Sequence, residues 1–337
     1  MRAREIAILF TIGALLVPEF VAGQKKEEGA ENGQVTIRAN VEMVSLPVVV
    51  SDRMGRRIID LSKKDFRVFE DGVEQEIAGF AATDEPLAIA LLLDTSGSTQ
   101  FKLARIQDAA IDFVNQLHPD DEVAVLSFAD DVKLQQDFTI DRDRNEYGIK
   151  KTRTGEWTVA YEAVWLALEE VLKPKPERTA LVVFSDGVDT RSRKATEKET
   201  LELARETRAT IYSVYYDTEG DQYKQRSPIG YPTRLPPIIG TGPVYTPSGP
   251  YPQLRPGKDY LEKLAEYSGG LTFDGNEDLR YAFSEVAKEL ASQYSIGYYS
   301  TNQKRDGKFR KVEVRLNKPG LVARTKKGYY TKKENKK

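Results

Sequence analysis

The chain has 337 residues, of which 40% are hydrophobic and 30% charged, and it is long enough for one large core and a smaller module. A formal net charge of −2 offers no sign of the basic surface on which nucleic acid binding depends, so nucleic acid is not an expected partner. The absence of cysteine excludes disulfides, thiol catalysis and zinc–thiolate sites.

The first residues have the pattern of an export signal. Met1-Arg2-Ala3-Arg4 is positively charged, residues 6–17 are mostly apolar, and Val21-Ala22-Gly23 is a stretch of small residues before Gln24. Because a membrane span needs about 20 apolar residues, a cleaved signal peptide over residues 1–23 is favoured over an uncleaved anchor. We therefore expect an exported protein, periplasmic or secreted, with no membrane span after cleavage and no cysteine for lipidation.

A β-rich segment follows a short linker. Residues 24–33 are charged and aperiodic, which is typical of a linker, and residues 34–85 form an N-terminal β segment. Within it, residues 46–50 read as a strand, and residues 66–77 read as a hairpin around Asp71-Gly72. Asp-Gly accepts the positive φ angles that a two-residue hairpin turn requires.

From residue 86 to residue 290 the pattern alternates between strands and helices. The predicted strands are residues 87–93, 123–128, 132–138, 180–184, 210–216 and 271–273. The predicted helices are residues 101–117, 159–172, 198–207, 259–267 and 279–292. Such alternation predicts an α/β fold, a doubly wound and mostly parallel sheet with helices on both faces. The short link Ala129-Asp130-Asp131 makes residues 132–138 an antiparallel edge strand.

The last part of the chain returns to a β pattern. Residues 291–331 contain predicted strands at 293–299, 311–316 and 321–324, and residues 332–337 form a charged tail. Since an isolated hairpin is marginally stable in water, we expect this segment and the N-terminal β segment to form one small flanking β module.

A proline-rich loop interrupts the α/β region. Residues 220–257 carry nine of the sixteen prolines, with interspersed Gly and Tyr. A loop of this length inside a compact domain is uncommon and usually functional or disordered. It leaves the carboxyl end of the strand at 210–216, so we expect it to overhang the sheet edge at which Asp94 lies.

The most informative feature is the turn Asp94-Thr95-Ser96-Gly97-Ser98, which lies between a buried strand and an amphipathic helix. Ligands of open α/β sheets bind at the carboxyl ends of the strands. The turn offers only hard oxygen donors, the ligands that Mg²⁺, Ca²⁺ or Mn²⁺ prefer. Taken alone, the turn is equally explained as a helix cap, because Ser and Asp side chains accept hydrogen bonds from the free amides of a first turn.

Two further oxygen donors are expected at the same edge. Asp186 follows the buried strand at 180–184, and Thr158 lies in the loop that begins the next helix. A helix cap needs neither residue. Three loops that meet at one sheet edge therefore favour a hard-cation site formed by Asp94, Ser96, Ser98, Thr158 and Asp186.

This constellation resembles the von Willebrand factor type A domain, in which such positions form the metal-ion-dependent adhesion site. The likeness covers roughly residues 86–289. The flanking segments, which include Phe66-Arg67-Val68-Phe69-Glu70-Asp71-Gly72 and Lys327-Gly328-Tyr329-Tyr330, resemble a bacterial family of exported proteins related to this domain.

The resemblance implies a role for each residue. Ser96 and Ser98 would ligate Mg²⁺ directly, Thr158 directly or through water, and Asp94 and Asp186 would hold coordinating waters. With few direct carboxylate ligands the ion keeps much of its positive charge, so it can accept an acidic group from a protein or peptide partner.

One departure from the family concerns the residues before Thr158, which are usually small. Here they are Glu156 and Trp157. Glu156 is a candidate extra ligand that would neutralise the ion, and Trp157 is a candidate aromatic anchor for a partner.

We expect no enzymatic activity. The only histidine, His118, lies in a turn at the opposite sheet edge from Asp94, so no serine triad can form. An aspartic protease needs two aspartates that share a proton, usually in two Asp-Thr-Gly motifs, but in Asp94-Thr95-Ser96-Gly97 the glycine is one position late and no second copy exists. The alternative to metal-dependent binding is a structural or interaction module with a degenerate metal site that acts through its β module or the proline-rich loop.

Overall fold

The computed structural model describes residues 43–175, 178–217 and 256–331. The predicted signal peptide, the linker, nearly all of the proline-rich loop and the charged tail lie outside the described residues.

Fourteen strands occur in the part of the chain that the structure describes. The first seven are β1 Val44–Asp52, β2 Phe66–Glu70, β3 Val73–Gln75, β4 Ile77–Ala81, β5 Leu87–Asp94, β6 Glu122–Phe128 and β7 Val132–Thr139. The other seven are β8 Arg178–Ser185, β9 Thr210–Tyr215, β10 Thr272–Asp274, β11 Gln293–Tyr298, β12 Phe309–Leu316, β13 Leu321–Arg324 and β14 Gly328–Tyr330.

The described α-helices lie mostly between the strands of the α/β region. They are α1 Leu103–Gln116, α2 Arg142–Lys150, α3 Ala160–Leu166, α4 Glu197–Glu206, α5 Pro256–Ser268 and α6 Leu279–Leu290. A 3₁₀ turn, Gly97–Lys102, precedes α1, and a π-helical turn, Ala167–Leu172, continues α3.

The central sheet has six strands in the order β10-β9-β8-β5-β6-β7. All its strand pairs are parallel except the pair β6–β7, which is antiparallel and leaves β7 at the edge. The strands β5 and β8 are buried along their whole length, as expected of central strands covered on both faces. The predicted doubly wound, mostly parallel fold is confirmed.

Helices cover both faces of this sheet because each has one apolar stripe. On α1 the residues Ile106, Ala110, Phe113 and Val114 recur at helical spacing and are buried with the residues of α6. The rings of Phe113 and Phe283 are 5.5 Å apart in that layer. Apolar residues of α3, α4 and α5 form the core on the opposite face.

The flanking β segments form two antiparallel four-stranded sheets, in the orders β13-β1-β11-β4 and β14-β12-β2-β3. Each sheet combines strands from both ends of the described chain, as in the pair β1–β11, where Val48 lies opposite Tyr294. The apolar core between the sheets includes Val68, Ile296 and Val314. Each segment therefore completes the other.

Two local predictions need correction. Residues 73–77 do not form a single strand, because the pairing with β2 ends at Gln75 and Ile77 begins β4, which pairs with β11 in the other sheet. The helix α2 was not predicted, because its polar sequence has only a weak apolar stripe. The predicted tight turn does occur, with φ of 47° at Asp71 and 84° at Gly72.

Arg178 ties the β module to the α/β region. At the start of β8 it is 8% exposed, and its guanidinium donates hydrogen bonds to the backbone carbonyls of Ala82, Glu85 and Gln293. These carbonyls belong to the chain leading into β5 and to the start of β11, so one side chain joins the α/β sheet to both junctions with the β module. No helix in the described residues is both long enough and apolar enough to cross a bilayer.

A buried carboxylate links strands of the β module to one another through hydrogen bonds. Glu70, at the end of β2, is 2% exposed and accepts hydrogen bonds from the hydroxyls of Tyr298, Tyr329 and Ser300 at 2.8, 2.8 and 2.6 Å. The network joins the first β segment to the last strands of the chain. It gives a physical reason for the Glu70 and Tyr329 positions in the two flanking motifs.

We predict that Tyr329→Phe lowers the free energy of unfolding by about 1–2 kcal/mol, because it deletes a hydrogen bond to a buried charged group. Urea unfolding followed by circular dichroism measures the loss. Tyr330→Phe removes a hydroxyl from the neighbouring tyrosine, which is 41% exposed, and should change stability by less than about 0.5 kcal/mol. Equal effects of the two substitutions would contradict this role of Glu70.

Candidate functional site

Asp94 ends the buried central strand β5 at the carboxyl edge of the sheet and is fully inaccessible to solvent. Its Oδ1 accepts a hydrogen bond from the Ser96 amide at 2.9 Å, and its Oδ2 accepts one from the Ser185 hydroxyl at 2.6 Å. Both carboxylate oxygens are thus held by groups from two different loops.

Ser96 and Ser98 lie at the start of the 3₁₀ turn with their hydroxyl oxygens 3.0 Å apart. An octahedral Mg²⁺ with oxygen ligands at about 2.1 Å holds neighbouring ligands about 3.0 Å apart, so this spacing fits two adjacent ligand positions. The Ser96 hydroxyl makes no capping hydrogen bond to the amides of the turn. The helix-cap explanation therefore fails for the Ser96 side chain.

A second loop, which contains residues 155–158, packs against the Asp94 turn. The Gly155 amide donates to the Thr95 carbonyl at 2.9 Å. A Cβ on Gly97 would lie 3.3 Å from the Glu156 carbonyl, so a side chain at Gly97 would crowd the two loops. Thr158 is 7% exposed at the end of this loop, and its amide donates to the Thr190 hydroxyl at 2.9 Å.

Asp186 lies in the third loop, directly after β8, and is half-buried. Its Oδ1 accepts a hydrogen bond from the Val188 amide at 3.0 Å. Gly187 has φ of 76°, and a Cβ there would lie 2.1 Å from the Gly257 carbonyl at the start of α5. Both the backbone angle and the close packing therefore require glycine, and the loop carrying Asp186 is fixed against α5.

The electrostatics of the two carboxylates favour a bound cation. Burial, and after it the negative charge of Asp186, raise the pKa of Asp94 to about 7, although the hydrogen bonds from Ser185 and Ser96 act to lower it. A cation near the buried Asp94 and the half-buried Asp186 would reduce the repulsion between the two carboxylates. The donor set, hydroxyls and carboxylates, suits Mg²⁺, Mn²⁺ or Ca²⁺.

Glu156 and Trp157 are held by a residue that sequence reasoning missed. The carboxylate of Asp130 accepts hydrogen bonds from the Trp157 amide at 3.0 Å and from the Glu156 amide at 3.2 Å. Both residues are exposed, and the guanidinium of Arg191 lies 5.3 Å from the centre of the Trp157 ring. Asp130 could have been suspected from the short link between β6 and β7, which ends at this sheet edge.

Ser185 and Thr190 are the other supporting residues that sequence reasoning missed. Ser185 precedes Asp186 and donates to Asp94, while Thr190 contacts both the amide and the carbonyl of Thr158. The one feature of the sequence that could have indicated these two residues is the run of polar residues at the end of β8 and after it.

His118 lies at the other end of the sheet, where its amide donates to Asp121. The Asp121 carboxylate also accepts a hydrogen bond from the amide of Leu87, the first residue of β5, whereas Asp94 is the last. In residues 43–175, 178–217 and 256–331, no three His, Cys, Asp or Glu side chains form a metal-binding cluster. The candidate set contains two carboxylates, and its remaining donors are hydroxyls.

One protein-family model matches part of the chain. Residues 89–188 match the family model described as von Willebrand factor type A domain. No curated protein matches the chain.

Among solved structures, the chain is similar to a von Willebrand factor type A protein from Catenulispora acidiphila, at 11% identity and a TM-score of 0.47 over 80% of this chain and 74% of that one. It is also similar to an aerotolerance-related membrane protein from Bacteroides fragilis, at 16% identity and a TM-score of 0.41 over 61% of this chain and 98% of that one. A third similar structure is the proximal thread matrix protein of the mussel byssus with zinc in its MIDAS motif. The identity is 18% and the TM-score 0.41, over 64% of this chain and 48% of that one.

We predict that the metal-free protein becomes less stable as the pH rises. The pKa of Asp94 is about 7 in the folded chain and near its ordinary value of 3.8 when unfolded, so the stabilisation present below the unfolded value is lost as the pH rises through about 7. Asp94→Asn should remove this loss and, in EDTA at about pH 8, stabilise the protein by on the order of 2 kcal/mol.

Thermal and urea unfolding at several pH values measure this difference. Asp60→Asn is the matched control, because Asp60 is exposed in the segment between β1 and β2, and its substitution should leave the difference in stability between low and high pH unchanged. If stability depended on pH in the same way in wild type and in Asp94→Asn, the raised pKa of Asp94 would be contradicted.

Proposed function

We propose that this chain, which carries a von Willebrand factor type A domain in residues 89–188, binds an acidic group of a protein or peptide partner through a divalent cation. Mg²⁺ is the expected ion, with Mn²⁺ or Ca²⁺ as possible substitutes. The observation that carries the proposal is the pair of Ser96 and Ser98 hydroxyls, 3.0 Å apart, beside the buried carboxylate of Asp94.

The proposed ligands have distinct roles. Ser96 and Ser98 bind the ion directly, and Thr158 binds it directly or through a water. Asp94 already accepts a hydrogen bond at each carboxylate oxygen, which supports a role in holding coordinating water, and we assign Asp186 the same role. The ion supplies a positive charge that few direct carboxylates neutralise, so an acidic side chain of the partner can complete its coordination.

Trp157 and Glu156 belong to the proposed rim of this site. Asp130 fixes their backbone, and both side chains are exposed, which supports access of a partner to the ion. We assign no catalytic role to any residue of the site, since the proposal requires only that the ion hold a ligand.

We further propose that the protein acts outside the cytoplasm, in the periplasm or as a secreted protein. The support is the sequence of residues 1–23, with its basic start, apolar stretch and small residues before Gln24. The partner is accordingly expected in the cell envelope or beyond it.

The first test is a titration of purified protein with Mg²⁺ and with Mn²⁺, followed by calorimetry and by thermal stability. Wild type should bind one ion and be stabilised by it. Ser96→Ala and Asp94→Asn should weaken binding of the ion at least about tenfold. The first removes a proposed ligand oxygen, and the second removes the negative charge of a carboxylate proposed to hold coordinating water. Ser284→Ala on α6 deletes a hydroxyl that is not among the proposed ligands and should bind as wild type does.

The alternative of a structural module with a silent metal site predicts a different result. In that case wild type, Ser96→Ala and Ser284→Ala would all fail to bind either ion and would melt at the same temperature in EDTA and in Mg²⁺. That outcome would overturn the proposed function.

A further inference from the structure

A charged groove of about 520 Å³ begins one residue beyond Thr158. Its lining includes Val159, Glu162, Arg191, Arg193 and Lys194, and it extends to Asp130, Asp131 and Lys133. The amide of Arg191 donates to the Thr158 carbonyl at 3.0 Å, so the groove shares its wall with the loop that carries the proposed ligand Thr158.

The acidic residues of the groove are already satisfied by neighbouring groups. Glu162 accepts hydrogen bonds from the amides of Arg193 and Lys194 at 2.6 and 2.9 Å. The Asp130 carboxylate accepts those of Glu156 and Trp157, as described above, and Asp131 pairs with Lys133 at 3.2 Å. These contacts satisfy oxygens of the carboxylates but leave their negative charges in place, and the charges of Arg193 and Lys194 also interact with Glu162.

The basic side chains of the groove are presented differently. Arg191, Arg193 and Lys194 are exposed, and the amide contacts to Glu162 use the backbone of Arg193 and Lys194 and leave their side-chain charges in place. The guanidinium of Arg191 lies over the Trp157 ring, 5.3 Å from its centre, which is within the range of a cation–π interaction. The lining has four basic and three acidic side chains, so the groove presents a small excess of positive charge next to the loop that carries Thr158.

We infer that this groove binds a second acidic side chain of the peptide whose first acidic group completes the coordination of the ion. The inference rests on the proposed function and adds a partner class, a peptide segment with neighbouring Asp or Glu residues. Charge complementarity between the exposed Arg193 and Lys194 side chains and such a segment is the physical reason.

The test uses fluorescence anisotropy of the full chain with three labelled synthetic peptides of equal length, in Mg²⁺ and in EDTA. One peptide has a single Asp among Gly and Ser, one has that Asp followed by Glu residues, and one has it followed by Lys residues. The Glu-containing peptide should bind about five- to tenfold more tightly than the single-Asp peptide, since two exposed ion pairs contribute modestly. The gain should shrink at high salt.

Variants assign the gain to the groove. The double substitution Arg193→Glu and Lys194→Glu should abolish it while the single-Asp peptide still binds in a Mg²⁺-dependent way. The matched control is Lys263→Glu with Lys304→Glu, the same change of charge at two exposed lysines outside the groove, and it should retain the gain. Circular dichroism and melting temperature verify that both double variants fold.

Three results would overturn the inference. Mg²⁺-dependent binding of the single-Asp peptide without a gain from Glu residues overturns the groove and leaves the proposed function standing. A gain that survives Arg193→Glu with Lys194→Glu overturns the groove in the same way. If no peptide binds in a Mg²⁺-dependent way, both the groove and the proposed function fail.

Discussion

The candidate site depends on one constraint, a carboxylate buried at the end of the central strand of the sheet. Asp94 is fully inaccessible, and its two oxygens are held by the amide of Ser96 and the hydroxyl of Ser185. Its charge is further disfavoured by Asp186. Because the surrounding strands fix Asp94 in place, the chain cannot relieve this charge by moving it to solvent. A proton or a cation can compensate it, and we propose that a cation held by the hydroxyls of Ser96 and Ser98 does so.

The β module contacts the central sheet at the end of β8 that lies away from Asp186. It consists of segments from both ends of the described residues, and Glu70 joins the first of them to the last through Tyr298 and Tyr329. Arg178, at the start of the central strand β8, binds carbonyls at both junctions with the α/β region. The strand that carries Asp186 at one end is thus anchored to the β module at the other.

Much of this architecture could be predicted from local pattern. The apolar run of β5 and the alternation of elements after it indicated the parallel sheet, and the order of Asp94, Ser96, Ser98, Thr158 and Asp186 indicated a shared edge. What could not be predicted depends on contacts between distant residues. The polar helix α2 has little apolar periodicity. The strand that begins at Ile77 belongs to a different sheet from β3 because it pairs with β11. Asp130 accepts hydrogen bonds from the amides of Glu156 and Trp157, which are far from it in sequence. Only the folded chain brings these groups together.

The most direct test of the central claim is a crystal structure of the protein grown or soaked with Mn²⁺, with anomalous diffraction used to locate the ion. The account predicts one anomalous peak beside Asp94, about 2.1–2.2 Å from the hydroxyl oxygens of both Ser96 and Ser98, and loss of that peak in Ser96→Ala. A fully soaked crystal with no peak at this edge, or with a peak whose ligands do not include Ser96 and Ser98, would contradict it.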